Sequence, residues 1–550
     1  MTQPTEVTPS TAIPLSQFRQ ILHLPLSLLD PDQAGGPEAQ MRRLLKQMAA
    51  HGWAPARTTF NDEPGPHSYE EAAYFHDFVR DFLYAKDRDN QHYSFCRPDM
   101  IDQEMVFHLG SGDVACTIKT LEIDLFTFGV AILTLELVAV APMTLARALD
   151  LIDHGRRAFP GFWYDDTTPG LCPRAVTLGG TRHEAESRTE HVAHLKAPQP
   201  DEKPALRLFP WWRSLLAPLC LQGENRESGL PVWRHVLDER IPVMSFLALP
   251  DKAAFESISE GDWFRIAAAD GAGKDPMPFN GPFLRAQAET LFYDRHAPCA
   301  QSTSCTRHSF AGYHYALVGA NIPPPDNFFE DVIQTHFRSH YRRMNFIAQL
   351  EFAALLTFSR RVTDLAITPD APDFRDKLLR VRKDFLSFTH RFLFTDVSNH
   401  LQAREMNTRL RASMNLDGLR ADVEAELSAA SDFALAEEQR DMGRSQEALT
   451  RFATLFLPAT LATGFAGMNI VADFLGQIAP ASPRTAWLWG LAELMFWAAI
   501  AYGIGLFVQG LIRRKGIDSP DSIGPLLRRA VSWTGFCALV CALLAVALKG

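Results

Sequence analysis

Hydrophobic positions recur with two different periods along this chain, and the change of period divides it. Over Glu104–Leu109, 114–124 and 129–140, Val, Ile, Leu, Phe and Thr dominate, and the pattern predicts strands. Gly110-Ser111-Gly112-Asp113, between the first two, predicts a hairpin turn. Residues 143–158 predict a helix and 242–249 a further strand. Residues 159–240 hold many Pro, Gly and Arg and show no readable period. After Pro323-Pro324-Pro325 the pattern becomes wholly helical. One helix is expected from about Asn327 to Leu365, before Pro369 and Pro372. The next carries Phe374, Leu378, Val381, Phe385, Phe388 and Phe392 at alternating steps of four and three, the seam of an antiparallel pair or bundle. A third begins near Arg411, and no proline stops it before Pro458.

The C-terminal end changes character again. No charge falls between Arg451 and Asp473 or from Ala530 to Leu548, and only Glu493 is charged from Thr485 to Ile512. Crossing a bilayer takes about 20 apolar residues, so three spans are expected. Trp487, Trp489 and Trp497 cluster toward one end of the second run, as an interfacial belt does. Arg513, Arg514, Lys515, Arg528 and Arg529 lie between the second and third runs, against Arg484 and Asp473 between the first and second. Basic loops stay in the cytoplasm. The expected localisation is therefore a multi-pass cell (inner) membrane protein with its N-terminal domain cytoplasmic and its C-terminus external.

The expected organisation follows: a flexible tail (1–20), a cytosolic α/β domain (21–322) and a helical hairpin (323–410). Then come a stalk helix continuing into the first span (411–469), an external loop (470–486), a second span (487–512), a basic loop (513–529) and a third span (530–548).

Charge and cysteine usage narrow the function classes. Of 550 residues, 54 are Lys or Arg and 64 Asp or Glu, a formal charge of −10. That balance disfavours nucleic acid and suits cations. Eight scattered cysteines suit a reducing compartment better than a disulfide framework. The first residues have no basic start and no apolar core, so no signal peptide is expected. No G-x-S-x-G, H-E-x-x-H or dinucleotide fingerprint occurs, and no enzyme is expected. Gly271-Ala272-Gly273-Lys274 lacks the first glycine of a phosphate loop and has Asp275 where Ser or Thr belongs, so it predicts a turn.

One triplet carries the functional reading. Gly467-Met468-Asn469 ends the apolar run and sets a backbone turn and a bare carboxamide at its exit. An amide there hydrogen-bonds a hydrated cation without stripping its water. Behind it Gly464, Thr460, Leu457, Ala453, Leu449, Gln446 and Gly443 recur every three or four residues and share one helix face. Thr460 and Gln446 are candidate polar rungs. Leu457 and Leu449 are candidate apolar constrictions. Plain helix packing is the other reading of such a stripe.

The segment LFLPATLATGFAGMNI (455–470) resembles the first membrane helix of the CorA-type divalent-cation transporters. The resemblance implies a CorA-like homopentameric funnel: an α/β cytosolic domain, a long stalk helix and an α-helical membrane domain. It implies an Asn469 ring at the outer mouth, Gly467 for the turn, Met468 packing the loop, and Asp432 in the stalk as an acidic ring. It implies a divalent cation as substrate and possible regulatory ligand, no required cofactor, a lipid membrane and five copies of the chain as partners. The chain departs from the family in its loop, IVADFLGQIAPASPR, whose Asp473 and Arg484 cancel, and in a third span. Mg²⁺, Zn²⁺, Co²⁺ and Ni²⁺ all stay open as cargo, and a non-conducting membrane-anchored sensor or scaffold is the alternative.

Two further features invite chemistry. His296, Cys299, Cys305 and His308 lie within thirteen residues, either a tetrahedral zinc site or a Cys- and His-bearing loop without metal. Glu493 is either an intramembrane acid with a function or a carboxylate near the interface.

Overall fold

The computed structural model describes residues 13–29, 36–56, 69–84, 91–196, 206–222, 230–274, 277–294, 304–321, 328–367, 369, 371–466 and 502–503. Two units divide the chain, one through Ala430 and one from Ser431.

The first unit is built on a mixed sheet of 14 strands. Its main strands are β1 (Gln17–Leu28), β2 (His92–Cys96), β3 (Glu104–Leu109), β4 (Gly112–Phe126), β5 (Val130–Ala139), β6 (Ala175–Leu178), β7 (Thr181–Glu184), β8 (Val232–His235), β9 (Val243–Leu249), β10 (Phe292–Tyr293), β11 (Ser304–Ala311) and β12 (His314–Asn321). The order across the sheet is β7-β6-β3-β4-β5-β1-β9-β12-β11-β10. β1 runs antiparallel to both β5 and β9, while β9 and β12 are parallel. The two central strands are buried almost end to end, as strands covered on both faces must be. β3 instead alternates buried and outward residues, the mark of a half-covered strand. The β4–β5 hairpin closes at Gly129, whose φ of 93° suits a residue without Cβ.

Helices of this unit include α1 (Leu145–His154), α2 (Pro210–Leu216), α3 (Glu260–Ala268), α4 (Arg342–Ala366), α5 (Phe374–Arg391) and α6 (Leu401–Ser413), followed by α7 (Leu416–Ala466). α1 starts where the Thr144 hydroxyl accepts the Arg147 N–H as an N-cap. Two π-helical turns, Phe329–Ile333 and Phe337–Tyr341, lead into α4. The seam residues Phe374, Leu378, Val381, Phe385 and Phe388 are the buried face of α5. There Phe388 packs on Phe128 and Phe358, with ring centroids 5.4 and 5.7 Å apart.

Several expectations need correction. The CorA-like funnel with its membrane domain is not what the fold shows: among the described residues no helix is long and apolar enough to cross a membrane. Within the described residues the apolar stretch is short. The uncharged part of α7 begins at Phe452 and its described part ends at Ala466, about 22 Å of helix against about 30 Å of hydrocarbon. The multi-pass inner-membrane localisation is corrected by the same finding. The second and third expected spans lie outside the described residues, apart from Tyr502 and Gly503. The expected tail is shorter than 1–20, because Pro14–Leu15 pairs with Met143–Thr144 and β1 begins at Gln17. The stalk begins at Leu416 rather than Arg411. Asn415 takes φ 50°, the left-handed turn that asparagine tolerates, and breaks α6 from α7.

Candidate functional site

The stripe proposed to line a pore lies on α7. Gly443, Gln446, Leu449, Ala453, Leu457 and Thr460 are exposed, as is Asp432. Leu449 is 68% exposed and Leu457 59%. Phe452 and Phe456, beside the stripe, are exposed as well. The Thr460 hydroxyl donates to the carbonyl of Phe456 at 2.7 Å. Its hydrogen is thereby spent on its own helix, and oxygen lone pairs are what it offers a cation. Charges beside the stripe pair along the helix: Arg451 meets Glu447 at 2.6 Å and Arg444 meets Asp441 at 3.4 Å. Gly464 lies on α7 near its described end. Gly467, Met468, Asn469 and Glu493 lie outside the described residues.

The zinc quartet is divided. His296 and Cys299 lie outside the described residues. Cys305 and His308 both sit on β11, three positions apart, so their side chains leave opposite faces of the strand. Cys305 is fully buried and disulfide-bonded, which removes it as a thiolate ligand, while Cys96, Cys116, Cys172 and Cys220 are free. His308 is buried with Nδ1 2.9 Å from the Tyr315 hydroxyl. Among the described residues no cluster of three or more His, Cys, Asp or Glu could hold a metal ion. The Gly271 turn is no phosphate cradle either: the Ala272 N–H already donates to Asp150 at 3.0 Å.

The strongest electrostatics of the first unit went unread in the sequence. Helical residues 338–343 lie over the β1-β5-β4 part of the sheet and meet buried carboxylates there. Glu136 is fully buried and receives Arg19 and the Thr120 hydroxyl, the latter at 2.8 Å, with Arg338 at 2.9 Å. Arg342 reaches Glu122 at 2.5 Å, and Arg343 lies 3.6 Å from Glu71. On β2 and β4, His92 Nε2 is 2.7 Å from Asp124. Burial alone would raise the Glu136 carboxyl, but Arg19, Arg338 and Arg342 outweigh it and hold it below the usual range. Burial, aided by Arg342, pushes His23 down to about 3, so this histidine is neutral near pH 7.

A second buried pair fixes the start of α7. Arg411 of α6 reaches Glu351 of α4 and, at 2.6 Å, Asp417 in the first turn of α7. Glu351 is fully buried. A charge so placed is stable only while its partner remains, so α4, α6 and the first turn of α7 are tied at one guanidinium. No sequence signal marked these pairs, because partners such as Arg411 and Glu351 stand sixty positions apart.

No protein-family model matches the chain, and no curated protein matches it in sequence.

Proposed function

We propose that the chain transports divalent metal cations and is regulated by its N-terminal α/β unit. The observation that carries this reading is the segment 455–470, whose Pro458-Ala459-Thr460 and terminal Gly467-Met468-Asn469 continue the α7 sequence. Support also comes from α7 itself, where polar and apolar stripe residues stand exposed, with no described residue covering them. In this reading several copies of the chain, five by resemblance, surround the cation path. Asn469 meets the hydrated ion and Thr460 and Gln446 offer it oxygen ligands. Leu457 and Leu449 narrow the path where it dries. Mg²⁺ dehydrates reluctantly, so an amide that binds its water shell is the fitting first contact. No cofactor and no bond-breaking chemistry is required.

The test is flux. Purified chain reconstituted into liposomes should admit Mg²⁺, Zn²⁺, Co²⁺ or Ni²⁺ to an entrapped dye in a stopped-flow experiment. Asn469→Ala should change the rate or the ion order. No uptake of any of the four ions, or identical uptake by the variant, sinks the proposal. One observation favours a non-conducting sensor instead. The 470–486 segment holds only Asp473 and Arg484 and has no net charge with which to gather cations.

A further inference from the structure

A cavity of about 280 Å³ opens within the first unit, partly in the stretch whose sequence shows no period. Arginines from four places converge on it: Arg207 before α2, Arg213 on α2, Arg234 on β8 and Arg360 on α4. No aspartate or glutamate is among the described lining residues. Behind it, Glu186 lies 3.2 Å from Arg207 and 2.6 Å from Arg213, one carboxylate shared by two guanidiniums. Arg234 donates to the Ser27 hydroxyl at 3.1 Å. Arg360 is exposed and makes no ion pair or hydrogen bond with any described residue. Burial pushes the His235 imidazole, also in the lining, down to about 4, so it adds no charge near pH 7.

The other half of the lining is apolar, with Phe159, Leu208 and Leu221 buried. Trp233 also lines the cavity. It is fully buried and its indole N–H has no acceptor, and Arg207 Nε is likewise buried without one. Buried donors left unmatched are costly, as are like charges gathered around a small volume. A ligand with an anionic end and an apolar body answers both. Planar guanidinium forks match phosphate oxygens two at a time, and the volume is at the lower limit for small-molecule sites.

We propose that this cavity binds a small organic phosphate with a flat apolar group, a nucleoside monophosphate being the class that fits both halves. The phosphate lies among Arg207, Arg213, Arg234 and Arg360, and the base against Phe159 and Trp233. Cation flux and this cavity stand or fall separately.

Isothermal titration of the full chain with AMP, adenosine and inorganic phosphate tests it. AMP should bind at least tenfold more tightly than either fragment, and raised salt should weaken it. Arg360→Ala should lower AMP affinity about tenfold with an unchanged unfolding midpoint, because that side chain is exposed. Arg360→Lys should recover part of the loss. Arg207→Ala serves as the second variant, checked for folding by the same midpoint. The proposal is overturned by any of four results: no AMP binding, adenosine or phosphate binding as tightly as AMP, an Arg360→Ala chain of parental affinity, or AMP binding indifferent to salt.

Discussion

Two stretches of α7 behave in opposite ways although they belong to one helix. Leu416, Val423 and Leu427, in the unit through Ala430, are buried, whereas Leu435, Leu449 and Leu457, in the unit from Ser431, are more than half exposed. The inversion extends to charge. The first unit encloses Glu136, Glu351 and Asp262 with no exposure at all, each answered by an arginine. Burial in this protein is thus not reserved for hydrophobic side chains. The first unit supplies these three carboxylates with arginines of its own. The exposed leucines of α7 are not covered by any described residue, and in the proposed reading other copies of the chain would cover them.

The largest test of that contrast is Glu136→Leu. It leaves Arg19, buried, and Arg338 without their carboxylate. Breaking a buried pair by removing one partner costs about 3–5 kcal/mol. Urea denaturation followed by tryptophan fluorescence measures it, because Trp211, Trp212 and Trp233 are fully buried reporters. A loss below about 1 kcal/mol would show the network to be as dispensable as a surface pair.

Next in size is acid sensitivity. Burial lowers His23 and His314 to about 3 in the folded chain, from about 6.5 unfolded. A depressed folded pKa contributes stability that is complete above the unfolded value and drains away as pH falls toward the folded one. Between about pH 6.5 and 3 each histidine should therefore remove about 1.4 kcal/mol per pH unit. Glu136, also depressed, loses its contribution with the same sign below the ordinary carboxylate range. Denaturation midpoints at pH 7, 6 and 5 should fall steadily, and His23→Gln should make the descent shallower. A flat profile would mean that these rings are hydrated in solution.

How much of this was legible depends on local pattern. Strands β3, β4 and β5 follow from alternation and β-branched content, and the α5 seam from its four-three spacing, since neighbours in sequence set both. β1 was read in part as tail: Arg19 and Gln20 fall inside the expected 1–20, and His23 just beyond it. Their burial depends on partners such as Glu136 and Thr134, more than a hundred positions away. The region 159–240 gave no period because its described residues form short strands, two short helices and bridges, and its arginines acquire meaning only when Arg360 arrives from α4. The 296–308 spacing suggested metal, but β11 turns Cys305 and His308 to opposite faces. The α7 stripe was visible as spacing. Its exposure was not, because spacing alone cannot tell a packed face from a bare one.

The smallest expected effect is the sharpest discriminator of the two ends of α7. Leu416→Ala removes a fully buried side chain and should cost about 2–5 kcal/mol. The same change at Leu449, 68% exposed, should alter the unfolding midpoint by no more than about 0.5 kcal/mol. If the bare stripe is a face between copies, Leu449→Glu should lower the assembly mass measured by light scattering while leaving that midpoint alone. A chain that keeps both its mass and its cation flux after Leu449→Glu has no use for the stripe as an interface or as a constriction. The exposed leucines would then be plain surface, and the contrast between the two ends of α7 would carry no functional meaning.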